Sequence, residues 1–308
     1  MIRSMYSGIA GMKNFQTKLD VIGNNISNVN TYGFKKGRVI FKDLISQTTS
    51  GASGASATTG GVNPKQVGLG SQLSVIDTMH GGGSLQSTGN TLDLGISGDG
   101  FFVVGNTAAE PVAGADAVVN NLKYTRAGNF YMDGKGYLVN ADGNYAYGIT
   151  TSAEDADMTT PSTAWDGKAD LIPSNGDGTE IGAPAAIRIP TNAKSMSISK
   201  NGVVTFVDAH NNLQLAGQLI MAKFPNAGGL TKDGSNYYAP STNSGNPYYA
   251  YGTEEGMGSI ESGFLEMSNV DLSEEFTDMI VAQRGFQANT RIITTSDSIL
   301  EELINLKR

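Results

Sequence analysis

His80-Gly81-Gly82-Gly83 is the stretch that most invites a chemical reading. A histidine before three glycines has the pattern of an oxyanion loop, where backbone N–H groups meet developing negative charge. That chemistry also needs a nucleophile on a G-x-S-x-G elbow, and the sequence holds none. A glycine-rich turn is the preferred reading. Gly98-Asp99-Gly100 begins a dinucleotide-type loop, but Val103 stands where a third glycine is required. Asn175, Asp177 and Thr179 imitate the start of a calcium loop. Glu180 then replaces the obligatory glycine and Ala186 the bidentate acid. His80 and His210 have no His or Cys neighbours in sequence with metal-ligand spacing, and there is no cysteine at all. Lys35, Lys36 and Arg38 read as an acid-pairing face rather than a phosphate site. Tyr248, Tyr249 and Tyr251, at strand spacing, read as β packing rather than a stacking platform. The expectation is therefore no catalytic residue, no cofactor and no metal.

Composition points the same way. Among 308 residues there are 40 glycines, well above average usage, which argues for many turns and short strands. The formal charge of −8 argues against general nucleic-acid affinity. No apolar run suits a cleaved signal peptide or a membrane span.

The elements that would position any site lie at the two ends. Ile2, Met5, Ile9, Met12, Leu19 and Ile26 fall on gaps of three and four, with Gln16 and Gly23 on the missing beats and Phe15 and Ile22 beside them. Leu272, Phe276, Met279, Phe286, Ile293, Leu300 and Ile304 repeat the pattern, interrupted by Gln283, Thr290 and Asp297. Each set predicts a heptad-type helix seam. Ser273, with Glu274, Glu275 and Asp278, marks an acidic helix start. Residues 1–43 carry a net +5 and residues 254–308 a net −7, so the seams are expected to pair as a coiled coil, in cis or between subunits.

The middle changes period. Residues 47–61 are small and polar and read as a linker. Short runs such as FFVV (101–104), SMSIS (195–199) and VVTFV (203–207) are broken by Asp99-Gly100, Asp133-Gly134, Asp142-Gly143 and Asn201-Gly202, a β pattern. Residues 151–184, with the single Trp165, look like an insertion. The expected fold class is α+β. Terminal helices at 1–30 and 270–308 form a coiled-coil domain. Connectors lie at 31–72 and 258–269. A mainly antiparallel β domain fills 73–257.

Four blocks then resemble one family. They are SGIAGMKNFQTKLDVIGNNISNVNTYGFKKGRVIF near the start, LDLGISGDGFFVV (92–104), YTRAGNFYMDGKGYLVNADGNYAYG (124–148) and SNVDLSEEFTDMIVAQRGFQANTRIITTSDSILEELINLKR (268–308). In that order they resemble the bacterial flagellar axial (rod/hook) proteins, and among these most closely the hook proteins. The resemblance implies a self-assembling subunit of a curved, hollow hook, a universal joint between rod and filament. The alternative is a distal rod subunit forming a straight drive shaft. Implied partners are identical subunits, the distal rod, hook cap and hook–filament junction proteins, and the type III export apparatus. No nucleic acid and no membrane insertion are implied. The location would be the extracellular hook–basal body, reached without a cleaved signal. The signature residues Asn24, Asn25, Asn28, Asn30, Thr31, Gly33, Phe34 and Lys35 are expected to form a hinge, with the break at 30–33. A hydrolase using His80, or a polysaccharide-binding β protein, leaves the terminal seams without a purpose.

Overall fold

A computed structural model describes residues 2–55, 58, 60–106, 122–150, 185–254 and 256–306. The expected insertion at 151–184, with Trp165 and most of the calcium-like loop, lies outside the described residues, as do Lys307 and Arg308. The chain divides into two compact units. One combines Met1–Val29, Lys36–Met79 and Val270–Arg308; the other combines Asn30–Lys35 with His80–Asn269.

The first unit holds both long helices, α1 (Ile2–Ser27) and α2 (Leu272–Asn305). Asp271 caps α2. Its carboxylate accepts from the Ser273 N–H at 2.8 Å and the Glu274 N–H at 3.4 Å, and Glu274 and Glu275 suit the positive end of the helix. The cap is thus two residues before the expected Ser273. At the end of α1 the Asn28 side chain donates to the Asn24 carbonyl at 2.9 Å, supplying an orphan helix-end acceptor. Residues 31–72 are not a bare connector. Gly37–Asp43 pairs antiparallel with Ser71–Thr78, and Ser46–Ser50 with Lys65–Gly68. The first ribbon packs on α1. Phe41 meets Phe15 edge-to-face at 6.2 Å, and Asn14 donates to the Ser71 hydroxyl at 2.9 Å.

Among the described residues, the second unit is built on a 13-stranded, antiparallel sheet. Phe101–Gly105 lies between Tyr145–Thr150 and Lys123–Thr125 and is buried throughout. Its strand period of two sends Phe102 and Val104 into one apolar cluster and Phe101 and Val103 into another. The sheet is covered on both faces, which explains a continuous FFVV run where a half-exposed strand would alternate. The expected strands over 195–207 pair as a hairpin, Ser195 opposite Val207. Gly202 takes the positive φ (84°) that its turn demands. Residues 258–269, expected to connect, are strands: Ser259–Ser262 pairs with Leu94–Ser97, and Phe264–Glu266 with Leu85–Ser87.

Candidate functional site

Two constellations carry the sequence-predicted residues, one in each unit. The first is the helix pair. α1 and α2 run antiparallel: a methyl on Gly8 would stand 3.4 Å from Ile293, Gly285 lies under the Phe15 ring, and Lys18 pairs with Asp278 at 3.3 Å. Gly11 faces Asn289, and Asn25 donates to Glu275 at 3.2 Å. Along α1 the contact face therefore includes Gly8, Gly11, Phe15, Lys18 and Asn25, with Ile22 buried on the same stripe. Along α2 it includes Glu275, Asp278, Gly285 and Asn289, with Ala282 and Ser296 buried on the same stripe. This stripe lies one residue from the expected seam on both helices, and members of that seam also meet across the pair: Thr290 donates to the Met12 sulfur at 3.3 Å, and Ile293 lies beside Gly8. Gly8, Gly11 and Gly285 let the helices approach, each seated against a larger partner: Ile293, Asn289 and Phe15.

The expected seam lies alongside. Ile9 is 45% exposed, Phe276 50% and Ile304 67%. Leu272 is also exposed, while Met5, Met12, Leu19, Ile26, Met279, Phe286, Ile293 and Leu300 are half-buried. The side chain of Ile2 lies outside the described residues.

Asn25 is the most tightly held of the signature asparagines. It is buried, and its amide exchanges two bonds with the Gly37 backbone, N–H to Oδ1 and Nδ2 to carbonyl, both 2.9 Å. The same amide reaches Glu275. One side chain thus fixes the start of the ribbon and the start of α2. Lys36 continues the acid pairing, 2.7 Å from Glu274, and Arg38 lies 3.4 Å from Asp77. Asn24 and Asn30 are exposed.

The second constellation contains the residues expected to form a hinge. Residues 30–35 belong to the β unit and are anchored there. The Gly33 N–H donates to the Glu266 carbonyl at 2.8 Å, and Asn236 donates to the Tyr32 carbonyl at 3.1 Å. The Phe34 N–H donates to the Thr31 carbonyl at 3.2 Å, and the buried Phe34 ring carries the Lys232 ammonium 5.0 Å from its centre. Gly33 has φ +70°, and a Cβ there would lie 2.6 Å from the backbone of Arg126 and Ala127. The glycine serves close approach as well as turning.

Lys35 ends this segment and is fully buried. Its ammonium donates to Glu266 Oε1 at 2.5 Å and to the Gly81 carbonyl at 2.8 Å. Glu266 Oε1 also accepts from the Gly83 N–H at 2.9 Å, and Oε2 accepts from Arg126 at 3.3 Å. Desolvation pulls the Lys35 pKa below the ordinary lysine value, against the pull of the Glu266 carboxylate. The triglycine after His80 is therefore part of an ion-pair scaffold: Gly81 and Gly83 serve Lys35 and Glu266, and a Cβ at Gly83 would collide with Met267. His80 packs edge-on to Phe101 and Tyr238, and burial with nearby Arg126, Lys35 and Lys232 pushes its pKa down to about 4. His210 is exposed, with Nδ1 3.1 Å from Asp208. Among the described residues no cluster of acids, histidines or cysteines could hold a metal ion. Tyr248, Tyr249 and Tyr251 are partly or wholly buried, and the Tyr249 hydroxyl bonds that of Tyr124 at 2.8 Å.

Arg126, Glu266 and Lys232 are the residues that spacing alone does not reveal. Glu266 leaves one local trace, a lone acid between Leu265 and Met267 in an apolar strand.

End helices that pair with each other, with an antiparallel β unit formed by the chain between them, define the structural class. Family models agree along the chain. Flagella basal body rod protein matches residues 5–35, the flagellar hook protein FlgE/F/G D1 domain residues 95–206, and the flagellar basal body rod FlgEFG protein C-terminal region residues 261–306. The flagellar basal-body rod protein FlgG of Bacillus subtilis (strain 168) is 51% identical over 309 residues, covering 100% of both chains. The flagellar hook protein FlgE of Borreliella burgdorferi is 31% identical over 453 residues, again 100% of both, and that of Treponema pallidum 30% over 475. A crystal structure of Helicobacter pylori flagellar hook protein FlgE2 overlaps 67% of this chain and 47% of its own, at 17% identity and a TM-score of 0.22. The chain belongs to the flagellar rod/hook axial protein family: it is a structural protein of the flagellum and not an enzyme.

Proposed function

We propose that the chain is a rod-type axial subunit that self-assembles into a straight, torque-bearing segment of the flagellar shaft. The observation that carries this is the B. subtilis rod relative, which matches end to end over 309 residues, whereas the spirochaete hook relatives need 453 and 475. The comparisons thus support the rod alternative better than the hook expected from the sequence blocks. The hook keeps one specific support, two full-length hook relatives at 31% and 30% identity.

The assembly surface proposed is the seam itself. Met5, Ile9, Met12, Leu19 and Ile26 on α1, and Leu272, Phe276, Met279, Phe286, Ile293, Leu300 and Ile304 on α2, form apolar stripes beside the intrachain contact. Identical subunits would cover them in coiled-coil fashion. The segment 30–35 acts as an anchor in the β unit rather than a bend. Other shaft components and the type III export apparatus are the expected further partners.

Electron microscopy of polymers grown from purified protein tests this. Straight tubes are expected, and curved tubes would restore the hook reading. Removing residues 1–27 should abolish polymers. If the truncated protein built the same tubes, the seam assignment would be wrong.

A further inference from the structure

The helix pair leaves a second apolar stripe uncovered. On α2, Val281 is 54% exposed, Ile292 44%, Ile299 42% and Leu303 48%, with the exposed Ala288 between them. Their gaps of seven and four repeat a heptad, yet none belongs to the expected seam. Each helical residue turns the chain by about 100°. Val281 precedes the buried Ala282 by one residue, and Ile292 follows Asn289 by three. Both steps turn away from the α1 contact in one direction. Phe276 follows Glu275 by one residue and Phe286 follows Gly285 by one, which turns the other way. The α1 contact therefore lies between two apolar flanks. Behind them Gln287, Arg291, Thr294, Ser298 and Glu301, all exposed, form a polar back.

A two-fold dimer would join like flank to like flank and leave the other open. Charge favours unlike flanks. Arg284 and Arg291 edge the new stripe, while Asp297 and Glu301 edge the seam. All four are exposed, and among the described residues their side chains make no ion pair. Two parallel copies of α2, offset by 12 residues or about 18 Å, satisfy both terms. Val281, Ala288 and Ile292 then stand level with Ile293, Leu300 and Ile304 of the next copy. Arg284 and Arg291 come within one turn of its Asp297 and Glu301.

We propose that α2 packs side by side and parallel with α2 of a second copy of this chain. The flank of Val281, Ala288 and Ile292 meets the flank of Ile293, Leu300 and Ile304 at that offset. This rests on the self-assembly proposed above, but not on the shape of the polymer. Ile299 and Leu303 run past the end of the neighbouring helix and are left for a further copy. The contact joins unlike surfaces and does not close on a pair, so it propagates as a filament does.

The chain has no cysteine, so introduced thiols report this contact alone. Arg284→Cys and Asp297→Cys in one full-length chain lie roughly 20 Å apart along α2, too far to bridge within it. Oxidised at high protein concentration, the double variant should give a ladder of covalent oligomers, and each single variant should stay monomeric. Absence of the ladder overturns the proposal. So does a dimer from either single variant, which would show like flanks meeting. Val281→Ser with Ile292→Ser should keep the far-UV helix signal and raise the concentration needed for polymers by roughly a hundredfold or more. Polymers at the wild-type concentration would also overturn it. Curved tubes with the ladder intact would sink only the straight-shaft reading, and straight tubes without the ladder only this one.

Discussion

Removing the Lys35 ammonium is the sharpest perturbation of the anchored segment. Lys35→Met fills the same channel with a side chain of similar length and no charge. Glu266 then retains only the Gly83 N–H and the longer Arg126 contact, and the Gly81 carbonyl keeps only the longer Asn269 amide bond at 3.3 Å. Breaking one partner from a fully buried pair costs about 3–5 kcal/mol, because the other charge stays behind desolvated. Glu266→Gln strands two cations and should cost at least as much. In the double variant the amide oxygen at 266 can still accept from Arg126, and no lysine is left unpaired. The two losses should therefore fail to add, with a coupling of about 2 kcal/mol or more. Near-UV circular dichroism during urea unfolding reads the right unit, since Tyr6 is the one tyrosine of the 12 outside it. An unchanged denaturant slope would show that the native and unfolded ensembles remain comparable. Single losses below about 1 kcal/mol, or strict additivity, would refute the claim that this pair holds residues 30–35 in place.

Other outcomes follow from the same contacts. His80 has a folded pKa of about 4 against 6.5 unfolded, so the unfolded chain takes up a proton first as pH falls. Its contribution is full above about pH 6.5, declines to about pH 4, and totals up to about 3 kcal/mol; His80→Phe should flatten that part of the pH–stability curve. Gly285→Val places a Cβ 2.6 Å from the Phe15 ring and should cost about 1–3 kcal/mol of helix-pair stability by far-UV dichroism, despite better helix propensity. Asp271→Ala removes the α2 cap and should cost about 1 kcal/mol, with faster amide exchange confined to Ser273 and Glu274.

What the sequence disclosed depended on how local the cause was. Both helices were legible because their apolar period runs over many turns, and the 195–207 hairpin because Asn201-Gly202 demands one turn geometry. Residues 31–72 and 258–269 read as connectors yet carry strands that the sequence hides for opposite reasons. Ser46–Ser50 and Lys65–Gly68 are exposed along their whole length and carry no alternation. Phe264–Glu266 is only three residues long and interrupted by a buried acid. Glu266 makes sense only with Lys35, 231 positions away, and no local pattern encodes that distance. The asparagine run was legible as a boundary, but not as a bracket: Asn25 is fixed by Gly37 and Glu275, and the latter contact exists only once the chain ends meet.

The one-residue offset of the helix contact bears directly on assembly. A step of one residue turns a helix by about 100°. Had the apolar seams faced each other within the chain, the pair would have buried its hydrophobic surface unaided and left polar faces outside. Instead Gly8, Gly11, Ala282 and Gly285 line the intrachain contact or lie buried on its stripe, where small side chains permit close approach and little apolar area is consumed. Ile9, Leu272, Phe276 and Ile304 remain exposed at a cost in water that a monomer has no means of relieving. The arrangement is therefore stable as a pair yet unfinished as a surface. Substituting Ile9 and Phe276 with serine separates the two roles. The monomer's helix content should survive, while the protein concentration needed to form tubes should rise by orders of magnitude. Loss of helix content in the monomer would show instead that the seam serves the chain's own fold.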